Sequence, residues 1–328
     1  MEAGVAIYHP PPSIAQAMRE VRSKRQLAEL FRRLGLRPRR ELGQNFLVDH
    51  NLLEFMVRAA EVGPGDVALD IGCGTGLLTA HLADAAGRVV AIEKDRGLFA
   101  ICSRYLEGRP NVVLVCGDAL EGKHTLSPAL LEAVGGELKA AAAAACPERG
   151  RGGGGTTRAL RVVANLPYCV ASLVVPNLLE SGLPVTTIVA TVQKEVAERM
   201  AAGPGSGEYG ALSLVVQAHA AAEVLRRVPP EVFWPRPKVT SAILRLRPDA
   251  ARLGAICDYA LFRGLARAAF AHRRKTLANA LAAAKLFRGR PEAALEACGI
   301  APGARAEDVD LAHYVALANY LGRLGAER

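Results

Sequence analysis

The chain predicts an α/β fold: a mostly parallel sheet with helices on both faces, followed by a smaller helical domain. Three observations carry this. Between 66 and 193, short runs rich in Val, Ile and Leu alternate with stretches of helical periodicity. A glycine-rich turn, "IGCGTG", joins the first apolar run to the helix after it. From 255 onward only helical patterns remain. The chain has 328 residues, 51% of them hydrophobic, which suffices for one large core and a second smaller one.

Taken in order, residues 1–13 are Pro-rich and are expected to be mobile. Ile14, Met18, Val21, Leu27, Leu30, Phe31 and Leu34 recur at roughly helical spacing through 14–34. "GLRPRRELGQNFLVD" reads as a basic loop leading to a helix near 49–61, with Asp49 as its N-cap. "DVALDIG", "RVVAIEKD", "NVVLVCGDAL", "RALRVVANLPY" and "PVTTIVATVQ" are five strands, the first three each followed by a helix. Such alternation implies right-handed βαβ units and a sheet buried on both faces. Residues 137–157 interrupt it with an alanine run and four glycines. They read as a surface insertion, flexible in the glycine half. "VPPEVFWPRPKVTSAILRLRP" is Pro-punctuated and ends in an alternating strand. The expected domains are an N-terminal extension over 1–35, the α/β domain over 36–250 and the helical domain over 251–328.

Lys and Arg number 41 against 32 Asp and Glu, a formal net charge of +9. This surplus favours an anionic partner, nucleic acid first, beside the plainer reading of a basic soluble surface. The seven Cys are odd in number and lack CxxC spacing, which argues against a disulfide framework or a zinc site and for reduced thiols in a cytoplasmic protein. No apolar run has the length of a membrane span, and the N-terminus carries no signal-peptide core. A monomer without metal is the default expectation.

The chemistry-bearing residues gather at strand ends. Gly72, Gly74 and Gly76 let a ligand approach the backbone at a helix N-terminus. Their spacing is not GxGxxG, and Asp70 stands just before them. That acid disfavours a pyrophosphate and favours a cationic or hydroxyl-bearing group. Glu93 ends the second strand, where a carboxylate accepts from ribose hydroxyls, and Asp118 ends the third, where it suits an adenine amino group. Each alone is compatible with a solvated loop acid; three at consecutive strand ends fit one nucleoside crevice. "NLPY" ends the fourth strand. Asn165 offers a carbonyl acceptor, Leu166 and Pro167 a backbone without a donor at the proline, and Tyr168 a flat ring. This set suits a planar base with an exocyclic amine. The basic stretches "RPRRE", with Arg39 and Arg40, and "HRRKT", with Arg273, Arg274 and Lys275, are candidates for RNA phosphate contact; Arg263 and Arg267 precede the second at helical spacing.

In order along the chain, "LGQNFLVD", "DIGCGTGLLT", "IEKD", "GDAL", "NLPY", "VQKEVAERM", "EVFWPRPKVTSAI" and "AHRRKTLANAL" resemble the motifs of the ribosomal RNA adenine N6,N6-dimethyltransferase family, in its small-subunit branch. The resemblance runs from about 36 to the C-terminus. It implies a Rossmann-like class I methyltransferase domain and S-adenosyl-L-methionine as methyl donor. The implied cofactor contacts are Asn45, Leu47, Gly72, Gly74, Gly76, Glu93, Asp118 and Asn165, with Tyr168 stacking on the target base. The implied partner is small-subunit rRNA in an assembling small ribosomal subunit. The family usually has Asn after this Tyr; here it is Cys169. Two other readings remain: the large-subunit branch that confers macrolide resistance, and an assembly factor whose methylation is secondary or lost. "AHRRKTLANAL" and the C-terminal "ARAEDVDLAHYVALANYL" favour the small-subunit branch over the first. Intact Glu93, Asp118 and Asn165 argue against the second.

Overall fold

The computed structural model describes residues 13–144, 159–272, 275–284 and 290–326. The readings made for 1–12, for 145–157 and for Arg273 and Arg274 lie outside these residues.

The helical pattern of 14–34 is two helices, not one. α1 (Ile14–Glu20) and α2 (Lys24–Arg33) are each capped by a serine, Ser13 and Ser23. Ser23 Oγ accepts from the Gln26 N–H, while Gln26 Oε1 accepts from the Arg22 N–H at 2.9 Å. This reciprocal cap ends one helix and starts the next. The basic loop then leads into β1 (Phe46–Leu47) and α3 (His50–Ala59), where Asp49 is the N-cap as expected.

The α/β region follows as β2 (Val67–Ile71), α4 (Leu77–Ala85), β3 (Arg88–Glu93), α5 (Arg96–Tyr105), β4 (Val112–Cys116), α6 (Pro128–Ala144), β5 (Leu160–Asn165), α7 (Ala171–Glu180), β6 (Val185–Gln193), α8 (Lys194–Ala201), α9 (Ala211–Gln217), β7 (Ala220–Val228), β8 (Phe233–Trp234) and β9 (Ser241–Pro248). Seven strands form one sheet in the order β4-β3-β2-β5-β6-β9-β7. The five from β4 to β6 are parallel, and β9 runs antiparallel to both its neighbours. β1 and β8 pair separately. The chain winds outward from β2 to β4 and then returns to the other side of β2 as β5. A crevice therefore opens at the C-terminal ends of β2 and β5, the topological switch point.

Alternate strand residues bury on opposite faces. Val67, Leu69 and Ile71 meet Leu130 and Val134 of α6 and Val174 and Leu178 of α7. Ala68, Val89 and Val163 share a second cluster with α1 to α4 through Met18, Leu27, Leu53, Met56 and Leu82.

The expected insertion over 137–157 is corrected in its first half. Residues 137–144 continue α6, because alanine is the best helix former and the face is anchored. Leu138 and Ala141 pack on the core, and Glu137 pairs with Arg88 at 2.7 Å. α7, α9 and β7 were not foreseen. Pro176 interrupts the α7 pattern, and the core-facing residues of β7, Ala220, Ala222, Val224, Leu225 and Val228, are thrown out of alternation by a register shift between Val224 and Arg226.

The C-terminal helices are α10 (Ala250–Gly254), α11 (Tyr259–Ala269), α12 (Leu277–Ala284), α13 (Pro291–Ala297) and α14 (Leu311–Ala326). α11 and α12 are separated where Thr276 bridges to Arg305. Phe262, Leu265, Leu281, Tyr314 and Leu317 form their core, which also takes Tyr209 and Leu214 from the α9 region. Among the described residues no helix is long and apolar enough to cross a membrane.

Candidate active site

The crevice at the switch point is a cavity of about 200 Å³. It is lined by the 41–47 loop, the glycine turn, the ends of β3 and β4, and 165–170. The turn follows β2 with three left-handed glycines: Gly72 at φ 71°, Gly74 at φ 59° and Gly76 at φ 86°. Gly76 caps α4, which is why that helix starts at Leu77 rather than inside the turn. Space is also restricted. A Cβ on Gly76 would meet Cys102 Sγ at 2.8 Å, and one on Gly72 would meet Pro167 at 3.2 Å.

Glu93 is buried beneath the turn. Its Oε2 accepts from the Gly74 N–H and its Oε1 from the Asp95 N–H, both at 2.8 Å. Burial pushes its carboxyl above the usual range, against the pull of those two donors. Each oxygen keeps a further lone pair for a ligand hydroxyl. Asp70 is fully enclosed and accepts from Thr79 Oγ1 at 2.7 Å. Burial raises its carboxyl to about 7. Asp118 lies at the rim, where Lys94 Nζ donates to its Oδ2 at 2.8 Å. Burial raises its carboxyl, but the Lys94 hydrogen bond and charge, with the Leu120 N–H, outweigh that and hold it low.

At the end of β5 the Asn165 amide has a fixed sense. Its Nδ2 donates to the Asn45 carbonyl at 2.8 Å, leaving Oδ1 as an acceptor. The Leu166 N–H donates to the Thr191 carbonyl, and the Pro167 carbonyl accepts from the Val170 N–H, each at 3.1 Å. Of the Leu166 and Pro167 carbonyls, Leu166's has no donor against it among the described residues. Tyr168 is half-buried, its hydroxyl 2.5 Å from Ser241 Oγ at the start of β9. Burial raises its phenol, partly offset by that serine. Cys169 is an exposed thiol that abuts the 41–47 loop at Gly43.

Asn45 and Leu47 thus share the cavity with the three glycines, Glu93, Asp118 and Asn165–Tyr168. Among the described residues, the RNA candidates are outside the cavity lining. Arg39 pairs with Asp95 at 3.3 Å, Arg40 opens a single 3₁₀ turn, and Lys275 is exposed beside α12. Four residues escaped sequence reasoning: Gln44, Thr79, Asp95 and Ser241. Each is polar, and each partners another motif residue. All four stand inside the motifs given above, Thr79 and Asp95 at the last position of theirs; nothing local marked their partners.

The sequence model of a family described as ribosomal RNA adenine dimethylase matches residues 35–323. The chain belongs to that family. It is 41% identical over 292 residues to "Ribosomal RNA small subunit methyltransferase A" of Moorella thermoacetica, covering 89% of this chain and 95% of that one. The protein of the same description from Anaeromyxobacter dehalogenans is 42% identical over 296 residues, covering 89% and 96%. Among solved structures, a dimethyladenosine transferase from Plasmodium falciparum superposes with a TM-score of 0.64 at 23% identity, over 84% of this chain and 96% of that one. The 23S rRNA methyltransferase ErmE superposes with a TM-score of 0.58 at 28% identity, over 84% and 99%. The fold is accordingly that of Rossmann-like methyltransferases with a helical C-terminal part, and the chain is an rRNA adenine dimethyltransferase by family.

Proposed function

We propose that the chain uses S-adenosyl-L-methionine to dimethylate N6 of two adjacent adenines in a hairpin loop of small-subunit rRNA, within an assembling small ribosomal subunit. The carrying observation is the Asn165 amide: its Nδ2 is fixed on the Asn45 carbonyl, which leaves Oδ1 as an acceptor, and the next residue lining the crevice, Leu166, has a carbonyl with no donor against it among the described residues. Two acceptors match the two N–H bonds of an adenine amino group. The crevice fits the donor: the glycine turn admits a backbone-close ligand, Glu93 has lone pairs for ribose hydroxyls, and Asp118 stands where an adenine edge would lie. Asn45 and Leu47 line the same crevice.

When bound, S-adenosyl-L-methionine would supply an electrophilic methyl on sulfur, transferred to N6 in exchange for a proton that passes to water. The chain's task is to hold and polarise. Accepting from N6–H raises electron density on a nitrogen whose lone pair is otherwise delocalised into the ring. It also aims that lone pair. Such positioning and fixed dipoles need no strong base. Tyr168, steadied by Ser241, stacks on a base drawn out of its loop, which RNA hairpins release cheaply.

The small-subunit substrate is supported by the descriptions of the relatives at 41% and 42% identity. The described cysteines are all free thiols, in keeping with a cytoplasmic protein, and we infer a monomer. The test is transfer of labelled methyl to unmethylated small subunits, with large subunits and naked RNA in parallel, followed by mass spectrometry of the nucleosides. Dimethyladenosine from the small subunit alone is the expected result. Label in the large subunit would move the chain to the resistance branch, and cofactor binding without label anywhere would make it an assembly factor.

A further inference from the structure

The loop that covers the crevice is held at both ends. On one side the Asn45 carbonyl accepts from Asn165. On the other side stands Asp95, buried at the start of α5, with a partner at every lone-pair direction of its carboxylate. Its Oδ1 accepts from the Gly97 and Leu98 N–H groups at 2.8 and 3.2 Å, capping the helix. Its Oδ2 accepts from Gln44 Nε2 at 3.1 Å and faces Arg39 Nε at 3.3 Å. Gln44 is held at its other end as well, since its Oε1 accepts from the Arg39 N–H at 2.7 Å. The 39–44 segment is thereby closed on itself and fastened to Asp95. The Asp95 N–H in turn donates to Glu93 Oε1.

From this we infer that Gln44 and Asp95 form a clasp that sets the closure of the 39–47 strap over the cofactor crevice, making Gln44 a positioning residue for cofactor binding. The inference rests on the cofactor reading above. Gln44 lines the cavity, yet both ends of its amide are committed to protein groups, so it acts through Asp95 and the strap. Arg39, a candidate for RNA phosphate, adds its charge to the same clasp. The link also explains why Asp95 follows Glu93 so closely. One turn of chain ties the acid that would hold the ribose to the strap that covers it.

Three variants test this: Gln44→Ala, Gln44→Glu, and Gln44→Glu combined with Asp95→Asn. Removing a hydrogen bond to a buried carboxylate should weaken S-adenosylmethionine binding and raise its KM about tenfold in Gln44→Ala. kcat at saturating cofactor should fall much less. Gln44→Glu sets carboxylate against carboxylate and should be worse. The double variant exchanges donor and acceptor across the same contact and should recover binding to within about threefold of wild type. Amide hydrogen exchange over 39–47 in the ligand-free chain should rise in both single variants and return in the double. Unchanged exchange and unchanged cofactor affinity in Gln44→Ala would overturn the clasp. So would a double variant no better than Gln44→Glu, or a loss confined to kcat and melting temperature with KM unmoved. Wild-type chain that fails to bind the cofactor, with exchange behaving as stated, would overturn the cofactor reading and leave the clasp standing.

Discussion

Replacing Asn165 by Asp and by Ala separates the two jobs of its amide. The Nδ2 donor at 2.8 Å from the Asn45 carbonyl fixes the side chain, and Oδ1 is left for the substrate. In Asn165→Ala both are lost. Removing one preorganised hydrogen-bonding group from a developing charge lowers kcat by roughly 10²–10³, or about 3–4 kcal/mol in the barrier. Asn165→Asp is subtler. Ionised, its second oxygen opposes the Asn45 carbonyl at the former donor distance, with a penalty of about 1–3 kcal/mol for the mismatched pair. Protonated, it donates to that carbonyl and keeps its acceptor. The neighbouring carbonyl and the half-buried position favour the neutral form, so its folded pKa lies above the usual carboxylate value of about 4. The active species is the protonated one, and activity is lost as pH rises through that pKa. The assay is single-turnover methyl transfer at saturating cofactor from about pH 5.5 to about pH 8.5. Asn165→Asp should gain relative to wild type on acidification, and Asn165→Ala should not. An Ala variant within about threefold of wild type, or an Asp variant that matches wild type across the range, would refute the reasoning.

Other expectations follow from the same geometry. Gly76→Ala forces a left-handed φ on a residue with a Cβ and pushes it against Cys102, so urea unfolding should show a loss of about 2–4 kcal/mol. Asp70 has a folded carboxyl raised to about 7 from 3.8, so the native state holds its proton longer than the unfolded chain. Its burden on stability is absent below about pH 4 and grows to roughly 4 kcal/mol as pH rises to about 7; the melting-temperature advantage of Asp70→Asn should widen over that window. Tyr168→Phe and Ser241→Ala each break the same 2.5 Å hydrogen bond, so their effects on methyl-transfer rate should be similar in size and non-additive when combined.

The sheet and its flanking helices were legible because burial leaves a periodic record. Val67, Leu69 and Ile71 face one layer and Ala68 the other, and an apolar run between two turn signals reports that directly. The record fails where alternation slips or a proline breaks it. β7 changes register between Val224 and Arg226, and α7 contains Pro176, so neither stands out in the sequence. The alanine run after 137 departs from its sequence expectation for a related reason. Low complexity resembles a linker, while Glu137, Leu138 and Ala141 anchor it as helix through partners far away in sequence.

The site divides along the same physical line. Gly72, Gly74, Gly76, Glu93, Asp118 and Asn165 could be named because each lies at a strand end, where topology alone puts it beside the crevice. Gln44, Thr79, Asp95 and Ser241 could not, because what they touch is another side chain: Asp95 is 51 residues from Gln44, and Ser241 is 73 from Tyr168. A hydrophobic pattern encodes a face, not a hydrogen-bond partner at that separation. These hidden residues fasten the nameable ones. Thr79 holds Asp70, Asp95 holds both Glu93 and the strap, Ser241 holds Tyr168, and the Asn45 backbone holds Asn165. A positioned amide or carboxylate owes its catalytic value to restricted orientation, so losing a fastener should look kinetically like a milder loss of the group it fastens. Ser241→Ala should therefore resemble a weakened Tyr168, and Gln44→Ala a weakened cofactor crevice, although neither side chain needs to touch a ligand.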